Sequence, residues 1–557
     1  MPTAVRTIDR AIVEAALKER VKSKAAFQDL KRRVTGLSGG KIPGSASLRR
    51  AYEQLIAVHP ERRSERFEAI LTRRDVRSLS GVSVVTVLTK PYACPGQCVY
   101  CPTEAIMPKS YLSNEPAAMR ALMMKFDPWR QVETRLEALQ ENGQPADKIE
   151  LIVKGGTWSA YAWEYRQWFI KRCFDAANAF GARRGADGKA RTNAHGTGRS
   201  ETLAQAQKTN ESARHRLIGI TLETRPDWIT PIEIQRLREL GCTRIELGVQ
   251  SVDDRILDLT KRGHDSAATR VASALLRDAG FKTDFHMMPQ LPGATPASDL
   301  AEMREIFDNP AYRPDMIKIY PCVTVELAEL HAWWKDGRYV PYSDAELLEM
   351  IIAAKQAVPR YCRISRLIRD IPSTSIVAGN MVTNLRQTAQ QEMARRGLHC
   401  ACLRCREIGR AALAEPALAK LKPRLFDDEY EASHGTEHFL SYEDAGRRGV
   451  FAFCRLRLPP KEPQGRTAEV AALMPEIRGV AFIRELHVYG TQVRIGARST
   501  KDAQHKGLGR ALMTRAEDIA RRAGYGRIAV ISGVGVRGYY RKLGYRLQGT
   551  YMVKTLA

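Results

Sequence analysis

Three thiols fall within eight residues of this chain: Cys94, Cys98 and Cys101, in the stretch K-P-Y-A-C-P-G-Q-C-V-Y-C-P from Lys90 to Pro102. Four-iron clusters take four thiolates as a rule, so a set of three leaves one iron open to another molecule. The competing chemistry is a structural zinc knot. Zinc wants a fourth Cys or His close by, and the next histidine in the sequence is His195, which favours the cluster.

A second group, H-C-A-C-L-R-C-R-E at 399–407, places Cys400, Cys402 and Cys405 beside His399. Three thiolates plus one further ligand suit zinc. The spacing is tighter than in ordinary zinc fingers, so a more distant residue is expected to complete the set in place of His399. Of eleven cysteines, six sit in these two clusters, which points to metal binding in a reducing compartment, not to disulfides.

The elements that must position the first cluster read as alternating strands and helices. Strands are expected at Gly81 to Thr89, Ile149 to Val153, Leu217 to Leu222, Arg244 to Val249, Lys282 to Met287, Met316 to Tyr320 and Arg363 to Leu367. Several are largely apolar, as strands buried on both faces are, and the strand-then-helix order implies a parallel sheet. Six or seven such units fit a complete or partial α/β barrel, whose chemistry sits at the C-terminal ends of the strands. There lie Lys154-Gly155-Gly156-Thr157, Glu223-Thr224-Arg225-Pro226, Gln250-Ser251, His286-Met287-Met288-Pro289 and Tyr320-Pro321-Cys322. Glycines at a strand end let a ligand approach the backbone. Glu223, Arg225 and Gln250 suit ribose and carboxylate contacts, and Lys154, His286, Lys318 and Tyr320 are candidates for proton handling.

At 557 residues the chain suggests two or three domains. It lacks both a signal-peptide core and an apolar run of about 18 residues, so a cytoplasmic protein with no membrane partner is expected. Lys and Arg exceed Asp and Glu by 88 to 62, and by 19 to 9 over residues 1–90, a balance that favours a polyanionic partner. Residues 9 to 35 read as one amphipathic helix and Ser47 to Ala57 as another, joined by a Gly- and Ser-rich loop carrying Lys41, a basic surface fit for a phosphate backbone. Gly181 to Arg214 has no periodicity and reads as a long mobile loop.

Around residue 430 the pattern changes. E-H-F-L-S-Y-E and V-F-A-F-C-R-L-R-L read as an antiparallel hairpin, V-A-F-I-R-E-L-H-V-Y as a longer strand, and Gln504-x-x-Gly507-x-Gly509 as the opening of an amphipathic helix. Amides at such a helix start can cradle a pyrophosphate. A strand at Arg527 to Ser532 and then G-V-R-G-Y-Y-R-K-L-G-Y follow.

The C-x3-C-x2-C spacing resembles the radical S-adenosylmethionine (SAM) superfamily, and the C-terminal order of parts resembles the GNAT acetyltransferases. Their pairing resembles the catalytic subunit of Elongator in its stand-alone prokaryotic form, a tRNA wobble-uridine carboxymethyltransferase family. The motifs that carry this run from about residue 75 to the end: V-R-S-L-S-G-V-S-V-V-T-V-L-T-K-P, E-P-A-A-M-R-A, V-K-G-G-T, L-E-T-R-P-D, R-I-E-L-G-V-Q-S, H-M-M-P-Q-L-P-G, R-D-I-P and Q-H-K-G-L-G. Eukaryotic members carry a longer spacing in the first cysteine motif, so the prokaryotic branch is the nearer match.

The resemblance implies an α/β chain with a radical SAM partial barrel at 76–390 and a GNAT domain at 426–557; the basic composition adds a helical tRNA-binding region at 1–75, and the second cysteine group a zinc-binding linker at 391–425. It implies a 4Fe-4S cluster on Cys94, Cys98 and Cys101, and SAM at Lys154, Gly155, Gly156, Glu223 and Gln250. It implies acetyl-CoA as co-substrate at Gln504, Lys506, Gly507, Leu508 and Gly509, with Tyr539 and Tyr540 near the thioester. Lys154, Tyr320, Tyr539 and Tyr540 are its candidate catalytic groups. The implied reaction takes hydrogen from the acetyl methyl group with a SAM-derived radical and leaves 5-carboxymethyluridine in the anticodon stem-loop of tRNA. An outside electron donor is required, and a homodimer is an option. A protein lysine acetyltransferase with a structural cluster domain and a non-enzymatic tRNA-binding protein are the alternatives.

Overall fold

The β-branched run Val84-Val85-Thr86-Val87 opens a parallel sheet in the computed structural model, which describes residues 7–37, 42–71, 81–181, 200–382, 384–490 and 507–556. Seven strands line up in sequence order: β1 (Ser83–Leu88), β2 (Lys148–Lys154), β3 (Arg216–Thr224), β4 (Arg244–Gln250), β5 (Lys282–Met287), β6 (Met316–Ile319) and β7 (Arg363–Arg366). All six pairings are parallel. Among the described residues β1 and β7 do not pair with each other, so the barrel is partial, as the sequence implied.

Helices cover its outside, and their starts are written in the sequence. Asp127, Thr230, Asp265, Thr295 and Ser343 each accept a hydrogen bond from the amide three residues on, satisfying donors that a helix start leaves unpaired. Along β2 the buried Ile149, Leu151 and Val153 alternate with partly exposed Lys148, Glu150, Ile152 and Lys154. The register carries the second set around the inside of the barrel: Ile152, Thr221, Arg244 and Lys282 share one level, and Glu223, Glu246 and Asp284 the next.

The C-terminal part is a second seven-stranded sheet, built from β8 (Arg424–Ala432), β9 (Gly435–Glu443), β10 (Val450–Leu458), β11 (Ala481–Val488), β12 (Arg527–Val530), β13 (Arg546–Gln548) and β14 (Tyr551–Thr555). Its order is β13-β14-β12-β11-β10-β9-β8. Every pairing is antiparallel except that of β11 with β12, which spans only Ala481–Ile483 and Ile528–Val530. The helix Leu508–Arg522 packs on one face, sharing a core with Leu440, Leu456 and Ile483. The other face sits against the N-terminal ends of the barrel strands.

That contact is made by buried charges. Arg484 grips the Asp315 carboxylate with both terminal nitrogens, at 2.8 and 2.5 Å, and reaches Glu437 at 2.9 Å. Glu437 also receives Arg277 at 3.3 Å and Arg457 at 3.1 Å, while Arg457 holds Asp278 at 2.5 Å. Arg455 bonds Glu485 at 2.9 Å and the Tyr361 carbonyl at 2.7 Å. Against the burial that would raise it, Arg484 and then Arg455 hold the Asp315 carboxyl below the usual carboxylate range.

Four readings of the sequence need correction. Residues 9 to 35 form two helices, Thr7–Lys18 and Lys24–Leu37, because the chain turns at Arg20 with φ +49°. These join Ser45–Val58 and Glu65–Leu71 around a small core of Ile12, Phe27, Leu48, Tyr52 and Phe67. Within the expected loop at 181–214, Leu203–Asn210 is a helix with a reciprocal cap between Thr202 and Gln205. The strands β8, β13 and β14 and the helix Gly465–Leu473 were not anticipated. Lys41, part of the V-R-S-L-S stretch and 182–199 lie outside the described residues. Among the described residues no helix is long and apolar enough to cross a membrane.

Removing one partner of a fully buried ion pair strands the other charge, at a cost of about 3–5 kcal/mol. Arg484→Met is expected to lower the midpoint of urea denaturation accordingly, at neutral pH. Because the Asp315 pKa is depressed, its contribution is complete above the ordinary carboxylate value of about 4 and is lost only as pH falls below it. The variant and the parent should therefore converge in strong acid.

Candidate active site

The loop that leaves β1 carries the three thiols, with Cys98 and Cys101 sharing hydrogen bonding, although the three Sγ atoms do not all lie within 4.8 Å of one another. A Cβ on Gly96 would stand 3.6 Å from Cys98 Sγ, 3.7 Å from Cys94 Sγ and 2.6 Å from Arg225 Nη1, so the space between the thiols exists only because residue 96 has no side chain. Arg262 Nη1 donates to Cys98 Sγ at 3.5 Å, and Thr157 Oγ1 lies 3.7 Å from Cys94 Sγ. Shared hydrogen bonding with Cys101, then the Arg262 charge, pull the Cys98 thiol down to about 4. Among the described residues the buried Arg225 Nη1 and Tyr100 hydroxyl have no partner. Three thiols on one loop, a thiolate stabilised by a cation and an unspent donor beside them fit an anionic iron–sulfur cluster.

Arg225 itself is committed to Asp227, with two bonds of 2.9 Å, and to the Gly263 carbonyl. These bonds tie the end of β3 to the turn after it and to the loop at Gly263, and leave Nη1 facing Gly96. Gly155 and Gly156 follow β2 at φ +137° and +86°, where a side chain is strained and, at Gly155, would overlap Thr89 Oγ1. Gln250, at φ +74°, closes β4 in the same left-handed region.

A cavity of about 360 Å³ lies at the C-terminal ends of the strands, bounded on one side by Tyr100 and Cys101 of the cysteine loop and by Gln250. Cys101, Lys154, Glu223, Gln250, His286, Lys318 and Tyr320 all line it, so the residues singled out along the sequence converge. The hub, Glu246, was missed. It is 1 % exposed and takes both Lys154 and Lys318, with His286 Nε2 at 3.2 Å. Glu223 faces the same groups: His286 Nδ1 at 3.3 Å, Lys154 at 3.4 Å and the Tyr111 hydroxyl at 3.0 Å. Tyr320 sets its ring edge-on to His286, 5.5 Å between centroids. The signal that could have found Glu246 is an ionisable residue at alternate positions of otherwise apolar strands: Arg244 and Glu246, Lys282, Asp284 and His286, and Lys318.

Burial lowers the Lys318 pKa to about 8, with Glu246 opposing, and raises that of Asp284. Against burial, Lys154 and then His286 hold the Glu223 carboxyl below its ordinary range. The site thus offers a lysine that gives up its proton near neutral pH beside carboxylates that stay charged, a pairing suited to general acid–base work.

In the C-terminal sheet, Gly507 at φ +77° caps the helix Leu508–Arg522. A Cβ on Gly509 would meet Tyr539 Oη at 3.1 Å and Val488 at 3.4 Å, so the helix start is bare backbone. Tyr539 is 41 % exposed, whereas Tyr540 is packed in the core with Tyr545. Gln504 and Lys506 lie outside the described residues. Near β7, the Sγ atoms of Cys400, Cys402 and Cys405 lie within 4.8 Å of one another, and His399 is not among them. Leu403 N donates to the Cys362 carbonyl at 2.9 Å, tying this cluster to the start of β7.

Three family models match the chain: Radical SAM superfamily over 89–305, Radical_SAM C-terminal domain over 314–395 and Acetyltransferase (GNAT) family over 405–545. A tRNA uridine(34) acetyltransferase of Methanocaldococcus infernus is 43% identical over 501 residues, 87% of this chain and 88% of the relative. That of Dehalococcoides mccartyi is 42% identical, with 86% and 99% covered. Elongator complex protein 3 of Homo sapiens is 38% identical, with 92% and 91% covered. Among solved structures, the archaeal Methanocaldococcus infernus Elp3 with an N-terminal deletion matches with a TM-score of 0.71 at 40% identity, covering 86% of this chain and all of that one.

Glu246 is the charge that keeps Lys318 from falling further. Glu246→Gln is expected to lower the Lys318 pKa below about 8, read by NMR of ¹³C-dimethylated lysines with Lys318→Arg to assign the signal. An unchanged titration would show that Glu246 and Lys318 do not interact.

Proposed function

Because the chain belongs to the family of Elongator complex protein 3 and the tRNA uridine(34) acetyltransferases, we propose that it modifies the wobble uridine of tRNA, using acetyl-CoA to form 5-carboxymethyluridine. The observation that carries this reading is the convergence of Tyr100 and Cys101 of the cysteine loop, the strand ends Lys154, Glu223 and Gln250 and the Glu246 ion cluster on one cavity.

Cys94, Cys98 and Cys101 would hold a 4Fe-4S cluster, and Gly155, Gly156, Glu223 and Gln250 would hold SAM. When bound, these groups supply one-electron chemistry that no side chain can perform; an outside donor provides the electron. The protein's own share is to orient, exclude water and move protons. Lys318, neutral above about pH 8, is the base placed for the proton at carbon 5 of the uridine, with Lys154 and Tyr320 beside it. Gly507, Leu508 and Gly509, with Gln504 and Lys506, would bind the pyrophosphate of acetyl-CoA, the negative charge that a helix start favours. Tyr539 is then the hydroxyl beside the thioester arm, and Tyr540 supports it from the core.

Cys400, Cys402 and Cys405 would hold zinc with one more ligand, bracing the step from barrel to acetyltransferase sheet. The helices of residues 1–75, rich in Lys and Arg, would take the tRNA backbone through phosphate contacts that position without reading sequence. The target base must leave its stack to enter the cavity, as enzymes acting on a base require.

An anaerobic assay with dithionite, SAM, acetyl-CoA and tRNA tests this directly. Release of 5′-deoxyadenosine together with a carboxymethylated uridine is expected from the parent. Cys98→Ala should abolish both while acetyl-CoA and tRNA binding stay within about threefold. Acetylation of a protein lysine that survives Cys98→Ala would favour a protein acetyltransferase instead.

A further inference from the structure

Among the described residues, two lysines and four arginines line the cavity, and five of these six cations are spent inside it. Lys154 and Lys318 reach Glu246, and Arg244 holds Glu150 at 2.6 Å. Arg262 donates to Cys98 Sγ and to the Gly248 carbonyl, while Arg369 donates to Ser110 Oγ at 2.8 Å and to Glu115 at 3.1 Å. None of the five is more than 24 % exposed. Arg366 differs. Its one ion-pair partner among the described residues is Asp370, and the two side chains are 42 % and 50 % exposed. A pair so solvated contributes little, so this guanidinium can turn to an incoming anion at small cost.

Its place gives the anion a context. Arg366 ends β7, at the face of the barrel where active-site groups gather. In register it is the partner of Lys318 on β6, so the two backbones stand about 4.8 Å apart. Their charged ends diverge: Lys318 finishes on buried Glu246, Arg366 on exposed Asp370. Beside Arg366 the lining is apolar, with Ile376 and the half-exposed Met381. The segment that carries them is pinned to the loop after β6. Thr324 N donates to the Ala378 carbonyl at 2.9 Å and Val377 N to the Thr324 carbonyl at 2.8 Å, and Asn114 Nδ2 adds a bond of 2.7 Å to Ser375 Oγ. A solvated cation, an apolar shelf next to it and a proton acceptor deeper in match the phosphate, sugar and base of one nucleotide.

We propose that Arg366 binds a phosphodiester flanking the wobble uridine, displacing Asp370, and so sets the depth to which the base descends toward Lys318. This rests on the wobble-uridine reading above. The planar guanidinium fork matches two phosphate oxygens, which an ammonium cannot do, and a phosphate contact fixes position without reading sequence. Asp370 occupies the fork until the phosphate takes it. The carboxylate of SAM presents similar anionic oxygens to the same cavity, and the test separates the two.

Binding of an anticodon stem-loop RNA to the cluster-loaded protein is followed by fluorescence anisotropy, with a single uncharged methylphosphonate placed next to the wobble uridine or, as control, at the far end of the stem. Next to the uridine it is expected to weaken binding about tenfold, and in the stem less than about threefold. Arg366→Ala should weaken the unmodified RNA by a similar factor, lose no more than about twofold further on the RNA neutralised beside the uridine, and reduce the slope of log K against log salt by about 0.7–1. Arg366→Lys should recover part of the loss, and Asp370→Asn should tighten the unmodified RNA. The inference is overturned if neutralising the linkage beside the uridine costs the parent no more than the stem control, an arm that needs no variant to fold. It is overturned equally if the losses from Arg366→Ala and from that linkage add in full. Weaker SAM binding in Arg366→Ala with RNA binding intact would assign the arginine to the carboxylate of SAM, which overturns it too. If the parent binds no anticodon stem-loop at all, the proposed function falls first and this contact with it.

Discussion

The carboxylate of Asp315, wholly buried where β6 begins, is the point on which the two halves of the chain depend. It accepts from the amide of Thr283 at the start of β5 at 3.0 Å and from both arms of Arg484, which reaches it from β11. A charge that deep is tolerated only when paired and fully hydrogen-bonded. Arg484 spends its remaining capacity on Glu437 and on the Phe281 carbonyl, so guanidinium and carboxylate lock a strand of one sheet to the ends of two strands of the other. Apolar contacts alone would let the sheets slide by a side chain's width. A bidentate pair with a fixed fork does not.

The second constraint follows from lining a barrel with charges. Each ionisable group placed inside must find a partner there, because water is scarce and an unpaired charge would shift its pKa until neutral. Glu246 answers this by serving Lys154, Lys318 and His286 together. The arrangement is unequal in its effects. Lys154, between two carboxylates, is held cationic well above its ordinary value despite burial, whereas Lys318 yields to burial and drops to about 8. Two lysines that reach one carboxylate from β2 and β6 thus take opposite roles: one anchors, the other exchanges a proton.

The fold was legible where local rules decide. Strand positions came within two residues of those observed, since apolar runs bounded by Gly and Pro leave little choice, and the cysteine loop declared itself by spacing. What could not be read was set by distant partners. The break at Arg20 depends on packing of the first helix against residues 45–58 and follows no local breaker. The helix at 203–210 carried a cap signal, Thr202 with Gln205, that was hidden by the polar stretch around it. The junction arginines 455, 457 and 484 lie in strands that read as ordinary, because nothing in a strand announces which residue 150 positions away will meet it.

Charge and geometry also explain why two cofactor sites of different ancestry can share one chain without interfering. The anionic phosphates of an acyl-CoA would be held on the far face of the second sheet, by a helix start near Gly509. The acidic groups Glu437, Asp315 and Asp278 at the junction are neutralised by arginines in the same layer, so the sheet presents no net acidic barrier between the two. The junction's arginines are thus spent on carboxylates of their own layer, and the charges of the two halves are balanced where they meet.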